Sequence, residues 1–516
     1  MKSKLWKFLT LVMLISFVLV ACQPSPAAPA TATTAPEQPV VEPTATTAPE
    51  QPAAATDTPA APAESPTPEP TAVPPTITVP AGATKVTIFV GFGTGTSPEQ
   101  QAVHKKIQEA FNSTHDNLKI EFLTVPWAER ITKFSTMLAG GMSPDIVMPI
   151  GVGGISEFYD EWLDLTPFIE KDKYDMTRFV GKTVEIHNYP TKGVLGLPMC
   201  VYPSAVFYNT DLFDAAGVEY PPHKWGDKYA DGTDWTYDKL VEIAKKLTID
   251  ANGNDANSPA FDPKNIKQFG WDGWDWMNVF DVAKKFGAEN GTGVSTDGRK
   301  SLLMTPEYLA AATWIKDTIW TWHIRANSEQ AGAFYDKAGD PFGSGLVAMW
   351  EIHSWMSYAW PSWTKAFNWD IAADPNVVGQ PIISIVDADT AVMPKSSKNQ
   401  EAAWEVMKWF YENKQLAQLI ANYGCLPADK DLSKSWVTDR KAENPNVDYQ
   451  VFIDAMAYTT ESPNHEAWKP NYTKINDVIS KAFEQINTGQ NLDVQAVFGA
   501  ADKEVQALLD DYWKNK

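Results

Sequence analysis

From Lys85 onward the chain alternates strand-like and helix-like stretches in one order, and that order limits the fold more than any other feature. "KVTIFVG" is a buried-strand candidate. "SPEQQAVHKKIQEAFN" follows as a helix, with Ser97 as N-cap, Pro98 in the first turn, Gln100 completing a capping box, and Val103, Ile107, Ala110 and Phe111 on one face. "LKIEFLTV" is the next strand, then a helix from Trp127 to Ala139 with Ile131, Phe134 and Leu138 in register, then "DIVMPI" as a strand. A β-α-β-α-β order predicts a mostly parallel sheet with right-handed crossovers, whose ligand-facing loops leave the carboxyl ends of the strands. The 516-residue chain is long enough beyond Thr84 for two lobes with separate cores.

What precedes Thr84 reads as an address and a tether. "MKSKLWKFLTLVMLISFVLVAC" has three early lysines, a short apolar stretch and a cysteine, the pattern of an export signal over residues 1–21 rather than a membrane span. Its last four residues resemble the bacterial lipobox, in which the cysteine, here Cys22, becomes the lipidated first residue of the mature protein and holds it to the cell membrane. Residues 22–83 are Pro-, Thr- and Ala-rich and repeat "TATTAPEQP", a composition that cannot bury enough apolar surface to fold. The net charge of −21 argues against nucleic acid as partner.

Several tempting motifs fail on spacing. "GFGTGT" has Gly91 and Gly93 of a dinucleotide loop but Thr96 where the third glycine belongs. "HEAWK" lacks the second histidine of a zinc helix, and no G-x-S-x-G elbow is present. "DANGNDAN", from Asp250, offers oxygens at positions 1, 3 and 5 of a calcium loop, but Asp255 replaces the glycine at position 6 and Phe261 the glutamate at position 12, so a polar turn is expected. Neither catalytic residues nor a cofactor or metal is expected.

"WDGWDW" packs Trp271, Trp274 and Trp276 around Asp272 and Asp275. Indole faces beside hydroxyl-accepting carboxylates suit a sugar ring; the competing reading is core packing.

Taken in order, "LAGGMSPDIV", "GVLGLP" with "AVFYNTDLFDAAGVEYPP", "FGSGLVAMWEIHSW", "WDIAADP", "MPKSSKNQEAAWEVMKWF" and "YGCLPAD" resemble the extracytoplasmic solute-binding proteins of ABC importers, the group that includes maltose-binding protein. The resemblance implies a two-lobed α/β periplasmic-binding-protein fold. Each lobe is a mainly parallel sheet flanked by helices, and the hinge is crossed three times, near Ser204, Pro375 to Val377, and Tyr423 to Pro427. The lobes would be 84–203 with 377–424, and 204–376 with 425–516. "IVDADTAV" stands where the family often carries a glycine pair, so Asp387 and Asp389 would make the cleft acidic.

The function implied is monomeric, non-catalytic capture of a carbohydrate for an ABC permease. Candidate ligand-binding residues are Trp127, Ile150, Gly151, Tyr202, Trp271, Trp274, Trp276, Glu351, Trp355, Asp387, Asp389 and Trp468. Asp145 in "PDIV" is read as structural. Two other functions stay open: binding of a polyamine or another small solute, and a surface glycoside hydrolase with paired carboxylates among Asp272, Asp275, Glu351, Asp387 and Asp389. By the resemblance Cys200 and Cys425 both lie beside hinge crossings, so either a disulfide or two buried thiols is compatible with the sequence.

Overall fold

The computed structural model describes residues 82–186, 188–189, 192–273, 279–332, 339–412, 415–459 and 466–516. The export signal, Cys22, the linker, Trp274 and Trp276 lie outside the described residues. Nine strands form one sheet: β1 (Thr84–Val90), β2 (Leu118–Thr124), β3 (Ile146–Gly151), β4 (Gly196–Asn209), β5 (Asp272–Gly273), β6 (Met349–His353), β7 (Trp369–Ala372), β8 (Val386–Val392) and β9 (Leu426–Pro427). Their order is β2-β1-β3-β8-β4-β6-β5, with β7 and β9 also on β4.

The parallel arrangement expected from the first elements is present. β1 pairs in parallel with β2, Thr84 opposite Leu118, and with β3. The helix between β1 and β2, α1 (Pro98–Thr114), starts at the capping box of Ser97 and Gln100. Its buried stripe is His104, Ile107 and Phe111, while Ala110 is exposed. A histidine can take that place because its Nε2 lies 2.7 Å from the Tyr423 hydroxyl and its ring stacks on Phe122. Burial pushes the His104 pKa down to about 4, so the ring is neutral. The next helix begins as a 3₁₀ turn, Trp127–Glu129, and continues as α2 (Arg130–Ala139), burying Phe134 and Met137 and leaving Ile131 exposed.

Past β3 the sheet turns antiparallel, apart from the β5–β6 pair, because everything is built on β4. All fourteen residues of β4 are buried. Residues 196–203 pair with β8, and 204–209 with β6 and β7, so the strand changes partners between Pro203 and Ser204. One apolar core runs the length of the sheet on one face, joining Val86 and Ile120 to Phe207, Trp363 and Phe452. The other side carries two separate cores, one around Phe89, Phe134 and Trp162, the other around Val206, Tyr208, Ile315 and Leu240 of α4 (Tyr237–Leu247). Val377, Ile383 and Ile385 pack with the last of these cores, and Val386, which opens β8, faces the continuous core on the other side of the sheet. A disulfide joins Cys200 to Cys425, tying β4 to the turn that opens β9. Among the described residues no helix is long and apolar enough to cross a membrane.

Candidate ligand-binding site

The separation of the two cores on one side of the sheet leaves β4 and β8 as the floor between them. On that floor Tyr202 donates its hydroxyl to Asp389 Oδ2 at 2.9 Å, and Asp387 stands opposite Tyr202 in the register. Both aspartates are buried. On the first-lobe side, Asp389 pairs with Gly151, and a Cβ at Gly93 would come within 3.1 Å of Asp389 Oδ2, so small residues are needed for the loop to approach the carboxylate. Ile150 is buried under this loop, and Gly151 is the N-cap of α3 (Val152–Glu157).

The opposite side comes from residues the sequence reading did not single out. Glu466 accepts from the Gly153 amide at 3.1 Å, and its carbonyl accepts from Ser156 at 2.6 Å. Asp281 and Lys284, both on α5 (Val279–Lys285), and Lys469 are buried nearby, and Asp387 is in the electrostatic field of Glu466, Asp389 and Asp281. "DVAKKF" reads as a solvated helix face; only the Asp281 to Lys284 spacing of three hints at a buried pair. Burial pulls Lys284 down to about 8 and Lys469 down to about 7, Asp281 acting against both shifts. Burial pushes Asp389 up to about 7, with Tyr202 opposing and Glu466 adding to the rise.

That shift fixes a pH dependence. A carboxyl whose folded pKa lies above its unfolded value contributes stability in full below about pH 4, and the contribution is lost as pH rises through about 7. The thermal midpoint of the wild type should therefore fall more between pH 5 and pH 8 than that of Asp389→Asn. Parallel pH profiles for the two proteins would remove the assignment.

The aromatic candidates occupy three different settings. Trp127 is 47% exposed, with the Arg130 guanidinium 3.5 Å over its ring. Arg130 lies in the field of Glu157 and Glu466, which sets Trp127 at the edge of the acidic cluster. Trp355 is half-buried, stacked on His353 at 4.2 Å and edge-on to Tyr202. Trp468 is half-buried and stacked on Tyr159 at 4.4 Å. Trp271 is fully buried in the second-lobe core, edge-on to Trp314, and Asp272 beside it accepts from Arg325 at 2.9 Å.

Glu351 is fully buried, taking 2.7 Å hydrogen bonds from Tyr237 and Lys285. Asp145 is buried too, accepting from the Thr87 amide, Ser397 and Asn399, which ties β1 to the loop before the helix Gln400–Glu412. The carboxylate of Asp250 takes four N–H bonds, from the amides of Asn252, Asn254 and Asp262 and the Asn254 side chain, so it organises its own turn.

Residues 94–417 match the family model described as bacterial extracellular solute-binding protein. The chain belongs to that family. A protein of Brucella abortus (strain 2308) named as a binding protein is 24% identical over 414 residues, 78% of this chain and 89% of the relative. The fold of this solute-binding protein is similar to that of an ABC substrate-binding protein from Listeria monocytogenes solved with cycloalternan (TM-score 0.65, 20% identity, covering 83% of this chain and 99% of the other). It is also similar to the cyclic α-maltosyl-1,6-maltose binding protein of Arthrobacter globiformis (TM-score 0.64, 17% identity, covering 83% and 100%).

Proposed function

We propose that this solute-binding protein captures a carbohydrate in the cleft floored by β4 and β8 and delivers it, unaltered, to an ABC permease, while held to the cell membrane through lipid on Cys22. The observation that carries the reading is Trp355 standing edge-on to Tyr202, whose hydroxyl is held by Asp389, with Asp387 and Glu466 in the same electrostatic cluster and Trp127 joined to it through Arg130. Flat apolar faces cover the C–H side of a pyranose and exclude water, while carboxylates accept from its hydroxyls. The structural relative solved with cycloalternan and the one named as a cyclic α-maltosyl-1,6-maltose binding protein support the same class of ligand. The hinge proposed for closure is the partner change at Pro203 and Ser204, with the other crossings in the segment that leads into β8 and at the Cys425 turn.

Titration of the protein's tryptophan fluorescence with gluco- and manno-oligosaccharides tests the reading. Trp355→Ala and Trp127→Ala should each weaken the best ligand at least tenfold, about 1.4 kcal/mol, and the sugar recovered should be chemically intact. Unchanged affinity in both variants would place the ligand elsewhere.

A second reading rests on charge. Asp281, Asp387, Asp389 and Glu466 share the cleft, and a polyamine or another small cation would favour the ionised forms of Asp387 and Asp389, whose pKa burial raises. Binding of such a cation, lost in Asp387→Asn and matched by no neutral sugar, would favour it.

A further inference from the structure

Where β4 changes partners, one buried lysine holds three stretches of chain together. Lys285 Nζ donates to Glu351 Oε1 at 2.7 Å and to Asp374 Oδ2 at 2.7 Å. Glu351 lies in β6 and also accepts from Tyr237 in the first turn of the helix Tyr237–Leu247; Asp374 follows β7 and also accepts from the Ser204 hydroxyl at 2.5 Å. Ser204 Oγ in turn accepts from the Ile385 amide at 2.9 Å, directly ahead of β8. Lys285, Glu351 and Asp374 are all fully or nearly fully buried.

Such a network is an odd choice for stability alone, because well-packed apolar side chains of similar volume serve at least as well. What it supplies is directional contact: α5 is fixed simultaneously to β6, to the segment after β7 and, through Asp374, to β4. The same helix carries Asp281 and Lys284 at the acidic cluster and begins shortly after β5. A displacement at the start of α5 therefore has a rigid route to the strand switch.

We propose that Lys285 is a positioning residue that locks α5 to the partner change in β4, so that contacts made in the cleft set the angle between the lobes instead of being absorbed within the second lobe. The proposal rests on the cleft being the capture site, but its first readout needs no ligand. Spin labels at Lys105→Cys and Ala310→Cys, exposed positions of α1 and of the helix Pro306–Trp320, report the interlobe distance in the full chain. In Lys285→Met/Glu351→Gln/Asp374→Asn, which removes the network without stranding a buried charge, the ligand-free distance distribution should be at least twice as wide as in wild type. Affinity for the wild type's best glycan should fall about tenfold, and Lys285→Arg should retain both wild-type values.

A wild-type width in the triple variant, whatever its melting temperature, overturns the proposal and assigns the network to structure alone. If the triple variant does not fold, Ser204→Ala removes the hydroxyl that Asp374 accepts from, cuts the link to β4 while leaving Lys285 with both carboxylates, and is held to the same widths. If no carbohydrate binds any variant or the wild type, the capture reading fails and the widths still decide the role of Lys285.

Discussion

Oxidised wild-type protein is expected to outlast Cys200→Ala/Cys425→Ala in guanidinium chloride by a margin equivalent to about 5 kcal/mol. The disulfide spans 225 residues, and a cross-link closing so long a loop removes close to the largest conformational entropy a single bond can take from the unfolded chain. Both cysteines are buried beside β9, where the pair ties the strand-switching β4 to the turn at Gly424. Because both ends lie beside the proposed hinge crossings, ligand affinity in the alanine pair should stay within threefold of wild type. The check is a set of denaturation curves for wild type, reduced wild type and the double variant, the last two being expected to coincide. Coincidence of all three would mean that the bond contributes nothing to the equilibrium.

Lys285→Met alone should be among the most damaging single substitutions in the chain, at about 3–5 kcal/mol, because it leaves Glu351 and Asp374 buried with no cation between them. Burial already pushes Glu351 up to about 7 against the pull of Lys285, and it raises Asp374 as well. Adding Glu351→Gln and Asp374→Asn should restore most of the loss, since two amides need no counter-charge. Thermal and denaturant midpoints of the single and triple variants measure this. A triple variant no more stable than the single would mean that lost packing, not unpaired charge, sets the cost.

The parts of the fold that were legible in the sequence are those governed by local pattern. The capping box at Ser97 and the alternation through β3 rest on residues a few positions apart, so β1, α1 and β2 could be read directly. The antiparallel pairings around β4 could not, because a continuously apolar strand such as Gly196–Asn209 gives no sign of which neighbour it takes or where it changes partner.

The candidate site divides in the same way. Trp127, Trp355, Asp387 and Asp389 were visible as residue types suited to a sugar, whereas Lys284, Lys285 and Lys469 were not, since a lysine is buried only when distant residues supply its partners. Trp271 shows the converse. Its neighbours in "WDGWDW" suggest a binding loop, yet its own ring is packed against Trp314 in the core.

Closure of the two lobes by a bound carbohydrate across the β4 switch should make the protein more compact. Its most direct test is small-angle scattering on the full chain, with and without the oligosaccharide that gives the largest thermal shift; a ligand binding only the folded state adds about 2.7 kcal/mol at a hundred times its dissociation constant. A smaller radius of gyration is expected on saturation, with no such change when the same sugar is added to Trp127→Ala/Trp355→Ala at the same concentration. A carbohydrate that binds tightly and leaves the wild-type radius unchanged, or a panel of carbohydrates in which none binds, would contradict it.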